Sequence, residues 1–141
     1  KTAEEIKIKI GTVYMEDSDP DMEMEAKGRD LSLGLPRKFI ISRRELMPVL
    51  QELAIQIVQS MQSVVERTPP ELVGDIFVNG LMLTGGGAMI NGLDRLITQR
   101  TNIKCTLAQE PIECVAKGTV KAFELLNVLQ DGFFPVSTHN H

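Results

Sequence analysis

The sequence predicts an α/β layer of parallel strands covered by helices, joined to a smaller β-hairpin lobe. Three observations carry that expectation. From residue 43 onward, segments with helical periodicity and short apolar runs follow in the order helix, helix, strand, helix, strand, helix, and strands that alternate with helices form parallel crossover units. Ahead of them, Met22, Met24 and Ala26 alternate with Glu23, Glu25 and Lys27, the period of two of a half-buried strand. The composition, 141 residues with 43% apolar and 24% charged, supports one ordinary core, because a chain of this length buries roughly two-thirds of its unfolded surface without metal or disulfide staples.

Charge and punctuation exclude several function classes. With 15 Lys and Arg against 19 Asp and Glu and no basic run, there is no electrostatic footprint for a phosphate backbone, and no nucleic acid partner is expected. No apolar stretch reaches the roughly 20 residues that span a bilayer. Lys1 stands where an initiator Met or a signal peptide would be expected, which predicts a soluble piece of a longer product. Cys105 and Cys114 lack CxxC spacing, so they are expected as reduced core thiols rather than zinc or redox ligands. His139 and His141 close the chain in residues 131–141, expected as a disordered or tag-derived tail.

The elements follow in order. Thr2 with Glu5 forms a capping-box pattern ahead of Ile6 and Ile10, which share a helical face before Gly11; the alternation of Ile6, Ile8 and Ile10 also fits a strand. Glu16 to Asp21, with Ser18 and Pro20, reads as a solvated loop. The strand from Met22 and a second one, Arg37 to Ser42, enclose the turn-rich segment Gly28 to Pro36, an antiparallel hairpin with a long tip. Ser42 and Glu45 form another capping box and open the strongest helix. Its Leu46, Val49, Leu50, Leu53, Ile57, Met61, Val64 and Val65 make one apolar stripe, read as core. Pro48 inside that pattern predicts a kink or a later start. Thr68 as N-cap, Pro69 at the first helical position and Glu71 predict a short helix ending before Gly80, packed beside the previous one. Leu81 to Leu83 is a buried strand, a helix lies near Leu93 to Gln99, and Ile103 to Leu107 is a second strand. Pro111 opens a last helix whose Ile112, Val115, Thr119, Val120, Phe123 and Leu126 share a face.

One motif carries chemistry: Leu83-Thr-Gly-Gly-Gly-Ala-Met-Ile-Asn-Gly92, a strand, three glycines and a helix start. Three glycines let a ligand approach the backbone, and the N–H groups of the turn suit an anionic or polar ligand. The motif lacks the Gly-Lys-Ser/Thr of a phosphate loop, and a GxGxxG pattern from Gly85 would need glycine where Ile90 stands. A ligand loop and a merely tight strand-to-helix turn both remain open on these residues alone.

Thr84-Gly-Gly-Gly-Ala88 followed by Gly92-Leu-Asp94 resembles the adenosine motif of the actin, chaperone and sugar kinase superfamily. Thr2-Ala-Glu-Glu-Ile-Lys7 with Gly11, Gly28-Arg-Asp-Leu31 with Gly34-Leu-Pro-Arg37, Thr68-Pro-Pro-Glu-Leu72 and Val115-Ala-Lys-Gly118 are similar, in that order, to the bacterial actin homologues of the MreB and Mbl family. The likeness runs from residue 1 to about residue 130. It implies part of an actin-like, ribonuclease H-like ATPase fold, with residues 1–42 like subdomain IIB and residues 43–130 like subdomain IIA. It also implies ATP as ligand, with Mg in the full-length protein: Gly85, Gly86 and Gly87 approach adenosine and phosphates, Ala88 and Met89 lie beside adenine, and Glu4, Glu5 and Lys7 reach ribose and adenine. For these last three a solvated helix start is the competing reading.

The resemblance further implies a cytoplasmic filament protein that controls cell shape by organising wall synthesis. It self-associates and works with membrane-linked partners such as RodZ, and its own membrane contact lies in regions outside this chain. The family's two phosphate hairpins and catalytic acidic residues have no counterpart in this sequence, so no catalytic residue and no turnover are expected of it. Half of an actin-fold small-molecule kinase, or an interaction module without nucleotide, are the alternatives.

Overall fold

The computed structural model describes residues 2–125. Helix α1 (Thr2–Ile10) leads through an irregular segment to strands β1 (Glu23–Arg29) and β2 (Pro36–Ser42). Helices α2 (Arg43–Glu66) and α3 (Pro70–Asn79) follow, then strand β3 (Leu81–Leu83), a 3₁₀ turn at Gly86–Met89, helix α4 (Leu93–Thr101), strand β4 (Cys105–Leu107) and helix α5 (Cys114–Glu124). The predicted order of elements is present. β1 and β2 are antiparallel, with Ala26 opposite Phe39 and Met24 opposite Ile41. β3 and β4 are parallel, with Leu81 opposite Cys105 and Leu83 opposite Leu107, a β–α–β unit closed by α4.

The described residues form two small cores, each drawing on both sides of residue 42. In the first, Ile6 and Ile10 of α1 bury against Ala26, flanked by Met24, Ile41 and Leu46; the i,i+4 pairing of the two isoleucines decides the helix-or-strand ambiguity in favour of helix. The helix begins at Thr2 itself, so Thr2 is helical rather than the cap. In the second core, Ala54 and Val58 of α2 meet Val13, Leu93, Leu96, Ile97 and Cys105.

A junction at Thr12 ties the chain together. Thr12 is fully buried, and its Oγ1 lies 2.9 Å from the Tyr14 carbonyl and 3.0 Å from the Asn91 carbonyl, between which it shares its proton. The Val13 N–H donates to the same Asn91 carbonyl at 2.9 Å, while the Val13 carbonyl accepts from Gln51 Nε2 at 3.1 Å. Gly92 completes the junction with φ +80°, and a Cβ there would lie 2.8 Å from the Tyr14 carbonyl oxygen. Arg95 then reaches back over the Tyr14 ring, at 5.2 Å, and donates to Asp19 at 2.9 Å. The Glu16 N–H and that guanidinium hold the Asp19 carboxyl below the usual carboxylate range.

Several expectations are corrected. The Ser42–Glu45 capping box is complete, and α2 starts there and runs through Pro48, so Pro48 does not delay its start. Arg43 at the first turn donates to the Ile10 carbonyl at 3.1 Å and so satisfies the end of α1. Thr68 is not the cap of α3: its hydroxyl donates back to the Val64 carbonyl at 2.7 Å, leaving Pro69 as N-cap and Pro70 as the first helical residue. The last helix starts at Cys114, three residues after Pro111, which places Cys114 at a helix start with partial exposure rather than in the core; Cys105 alone is buried. The α2 stripe also divides. Ala54 and Val58 are core, whereas Val49, Leu53, Ile57 and Val64 stay more than half exposed, because no described element covers that side. α3 buries no residue, so it does not pack closely along α2. Val115, Val120 and Phe123 of α5 are likewise exposed. Leu126 and residues 131–141 lie outside the described residues.

The hairpin tip is internally braced. The Asp30 carboxylate accepts from the N–H groups of Ser32 at 2.9 Å and Leu33 at 3.1 Å and from Arg37 at 3.3 Å. Arg29 Nε donates to the Gly34 carbonyl at 3.0 Å. The Leu33 and Ser32 amides, with Arg37, lower the Asp30 pKa.

Glycine position provides a test of opposite signs. Gly92→Ala places a side chain against the Tyr14 backbone in a left-handed conformation and should cost about 2 kcal/mol or more in a denaturant titration. Gly74→Ala, inside α3 with no atom within 4 Å of the added carbon, should stabilise by about 0.5–1 kcal/mol. For Asp30 the depressed folded value means that its bracing is present above the ordinary carboxylate range and is lost as pH falls through the lower folded value. An NMR titration should give Asp30 a midpoint below that of an aspartate in an unstructured peptide, with the Leu33 amide shift following it.

Candidate functional site

The glycine loop sits at the end of β3, where parallel β–α units place their ligands. Its anchors are backbone bonds. Gly85 N–H donates to the Pro111 carbonyl at 2.7 Å and Ala108 N–H to the Leu83 carbonyl at 3.0 Å, so the loop is pinned to the segment that follows β4. Ala88 N–H closes onto the Gly85 carbonyl at 3.2 Å. Gly85 has φ +84°, a backbone conformation in which a side chain is strained. Gly86 and Gly87 do not share that constraint, and at all three glycines an added Cβ would meet no atom of the described residues within 4 Å. The fold's own packing therefore gives no reason for glycine at positions 86 and 87, and the face they line is open to a ligand.

Ala88 is half-buried and Met89 is 52% exposed, while the next residue, Ile90, turns into the second core. Met89 thus stands at the surface of the loop, with an apolar side chain available to a flat partner. The turn that Gly86 and Gly87 open is 3₁₀ rather than α-helical, so their N–H groups begin a tight turn and not a long helix dipole.

The residues of α1 are placed separately. Glu4, Glu5 and Lys7 are all exposed on the outer face of α1, and Lys7 pairs with Glu4 at 2.7 Å. No hydrogen bond or ion pair joins them to the glycine loop among the described residues. The structural link between the two regions is indirect: α1 leads into Thr12, and Thr12 binds Asn91 just beyond the loop.

Beside the loop, Lys117 of α5 bridges Glu110 and Glu113, and those two carboxylates raise its pKa. Sequence reasoning gave these three residues no role; the i,i+4 spacing of Glu113 and Lys117 was the available signal. Burial and the Asp94 charge push the Cys105 thiol up, keeping it protonated. No group of three or more His, Cys, Asp or Glu is arranged to hold a metal ion among the described residues.

Comparison with known proteins agrees with this architecture. The family model described as MreB/Mbl protein matches residues 1–131. The cell shape-determining protein Mbl of Bacillus cereus is 44% identical over 119 residues, covering 84% of this chain and 35% of that protein. The cell shape-determining protein MreB of Escherichia coli is 42% identical over 127 residues, 90% of this chain and 36% of the relative. The crystal structure of MreB5 of Spiroplasma citri bound to ADP superposes with a TM-score of 0.84 at 31% identity, covering 93% of this chain and 39% of that one. The same protein bound to AMPPNP gives the same TM-score, with 94% and 39% covered. The chain thus spans little more than a third of the length of the relatives it matches, and its α/β architecture is part of the actin-like fold. With a family model matched over most of its length and relatives above 40% identity, the chain belongs to the MreB/Mbl family of cell shape-determining, actin-like proteins.

Proposed function

We propose that this chain is the adenine-nucleotide half-site of an ATP-binding, filament-forming protein that organises cell-wall synthesis. The carrying observation is the open face of Gly85, Gly86 and Gly87, held at the end of β3 with no internal packing role for the second and third glycines. Structural neighbours with ADP and AMPPNP bound support the same ligand class. In this reading the glycines admit the adenosine and phosphates to the backbone, Ala88 and Met89 flank the adenine, and Glu4, Glu5 and Lys7 approach the ribose and adenine from α1.

Bound ATP supplies a γ-phosphoryl group whose transfer depends on positioning and charge neutralisation. The described residues provide backbone donors and an apolar flank, and they include no carboxylate cluster for Mg. Residues elsewhere in the full-length protein would hold Mg and position the attacking water, and this chain's part is to orient the nucleoside. Assembly into filaments, location on the cytoplasmic side of the membrane and partnership with membrane-linked proteins such as RodZ belong to the full-length protein. No helix among the described residues is long and apolar enough to cross a membrane.

Gly86→Val in the full-length protein is the direct test. A Cβ there meets no atom of the described residues within 4 Å, so titration calorimetry should show ATP affinity reduced ~10-fold or more, a loss of about 1.4 kcal/mol, while the melting temperature stays within a degree or two. Equal affinity in variant and wild type would remove the adenosine assignment. The 141-residue chain alone should release no phosphate from ATP above buffer, and steady Mg-dependent release that survives repurification would contradict the half-site reading.

A further inference from the structure

The Pro111 carbonyl that anchors the glycine loop belongs to a segment with little hold of its own. Between the end of β4 at Leu107 and the start of α5 at Cys114 the chain forms no strand, and Pro111 has no N–H with which to join a ladder. The segment nevertheless delivers that carbonyl to the Gly85 N–H at 2.7 Å. Glu110, just before the proline, has φ +52°. This left-handed conformation is disfavoured for a residue with a Cβ, and a following proline favours extended backbone instead. The turn therefore needs a tie from outside its own backbone.

Helix α5 supplies two. The Cys114 thiol lies 3.6 Å from the Gln109 carbonyl and 3.5 Å from the Glu110 carbonyl, between which it shares its proton. The Lys117 ammonium donates to the Glu110 carboxylate, seven residues back, and also pairs with Glu113 Oε2 at 3.2 Å. The Glu113 pair spans one turn at the helix start, whereas the Glu110 pair leaves the helix and crosses the turn that holds Pro111. Lys117 is 51% exposed and each carboxylate 61%, and ion pairs so placed add little to global stability. Their effect is local: they select the conformation of the turn and with it the place of the Pro111 carbonyl.

We infer that Lys117 is a positioning residue of the nucleotide loop: by tying Glu110 to α5 it holds the turn that presents the Pro111 carbonyl to Gly85, and so fixes the open face of Gly85–Gly87. The inference rests on the nucleotide reading above and adds to it a residue that acts only through Glu110 and Pro111. Gly85 depends on such an anchor because its φ of +84° is one of several conformations open to a glycine. Released from Pro111, the loop would spread over the others, and binding would have to order it again.

The test measures two quantities in the full-length protein, ATP affinity by calorimetry and hydrogen exchange at the Gly85 amide without ligand. Lys117→Met should weaken ATP binding ~3- to 5-fold, the size an exposed ion pair can carry. It should also speed Gly85 exchange ~3-fold or more, with the Val13 amide and the melting temperature nearly unchanged. Lys117→Arg should recover most of both losses. Adding Glu110→Gly to Lys117→Met should also restore both, because glycine accepts the left-handed turn without a tie. Weaker ATP binding with Gly85 exchange unchanged would mean that Lys117 acts by charge and not by position, and would overturn the proposal. Faster Gly85 exchange with ATP affinity unchanged would overturn it too, as would no change in either. In all three cases the nucleotide reading stands, because the wild type still binds ATP; a wild type that binds no ATP would remove that reading and the proposal together. Where Lys117→Met folds poorly, Glu110→Gln and Glu113→Gln decide the point. Glu110→Gln, which weakens the tie to the turn, should loosen Gly85 and ATP binding more than Glu113→Gln, and an equal or reversed order would contradict the assignment.

Discussion

The buried hydroxyl of Thr12 is the interaction on which the rest of the architecture depends. Each of the two cores is small, and neither the two-stranded hairpin nor the two-stranded parallel pair is independently stable at that size. What makes them one structure is a short stretch in which Thr12 and Val13 bind the Asn91 carbonyl, Gln51 binds the Val13 carbonyl, and Gly92 lets the Tyr14 backbone pass at contact distance. Three segments far apart in sequence meet there: Thr12–Tyr14, Gln51 and Asn91–Gly92. The one fully buried polar side chain among the described residues, Thr12, is paired, so its burial costs little and orients much.

That junction also positions the glycine loop. Asn91 and Gly92 follow it immediately, and Gly85 at its other end is bonded to the Pro111 carbonyl. The loop is therefore fixed at both ends by backbone bonds while its middle, Gly86 and Gly87, has nothing in front of it. A site built in this way is preorganised, because the ordering cost of its anchors is met on folding rather than on binding. α1 enters the account through the same junction, since the chain runs from α1 directly into Thr12.

Periodicity made most elements legible. The Ile6–Ile10 pair, the Met24–Ala26 alternation and the Ser42–Glu45 box each encode local geometry that the structure retains. What was not legible was long-range. Thr68 has the residue type of an N-cap, but its hydroxyl found the Val64 carbonyl first. The α2 stripe reads as a single apolar face, yet only the side facing Val13 and Leu96 is covered among the described residues, and a hydrophobic pattern records the need for a partner without naming it. The site divides in the same way. The triple glycine is visible in sequence, whereas the open space in front of Gly86 and Gly87 depends on how distant segments, the Pro111 carbonyl among them, place the loop.

Hydrogen exchange on the full-length protein, with and without ATP, tests the central claim that this scaffold holds an open nucleotide loop. The account predicts slow exchange at the Val13 amide in both states, because it donates into the junction, and a marked slowing at Gly86 and Gly87 only when ATP is present. Unchanged exchange at those glycines on saturation with ATP, with protection appearing elsewhere in the chain, would contradict it.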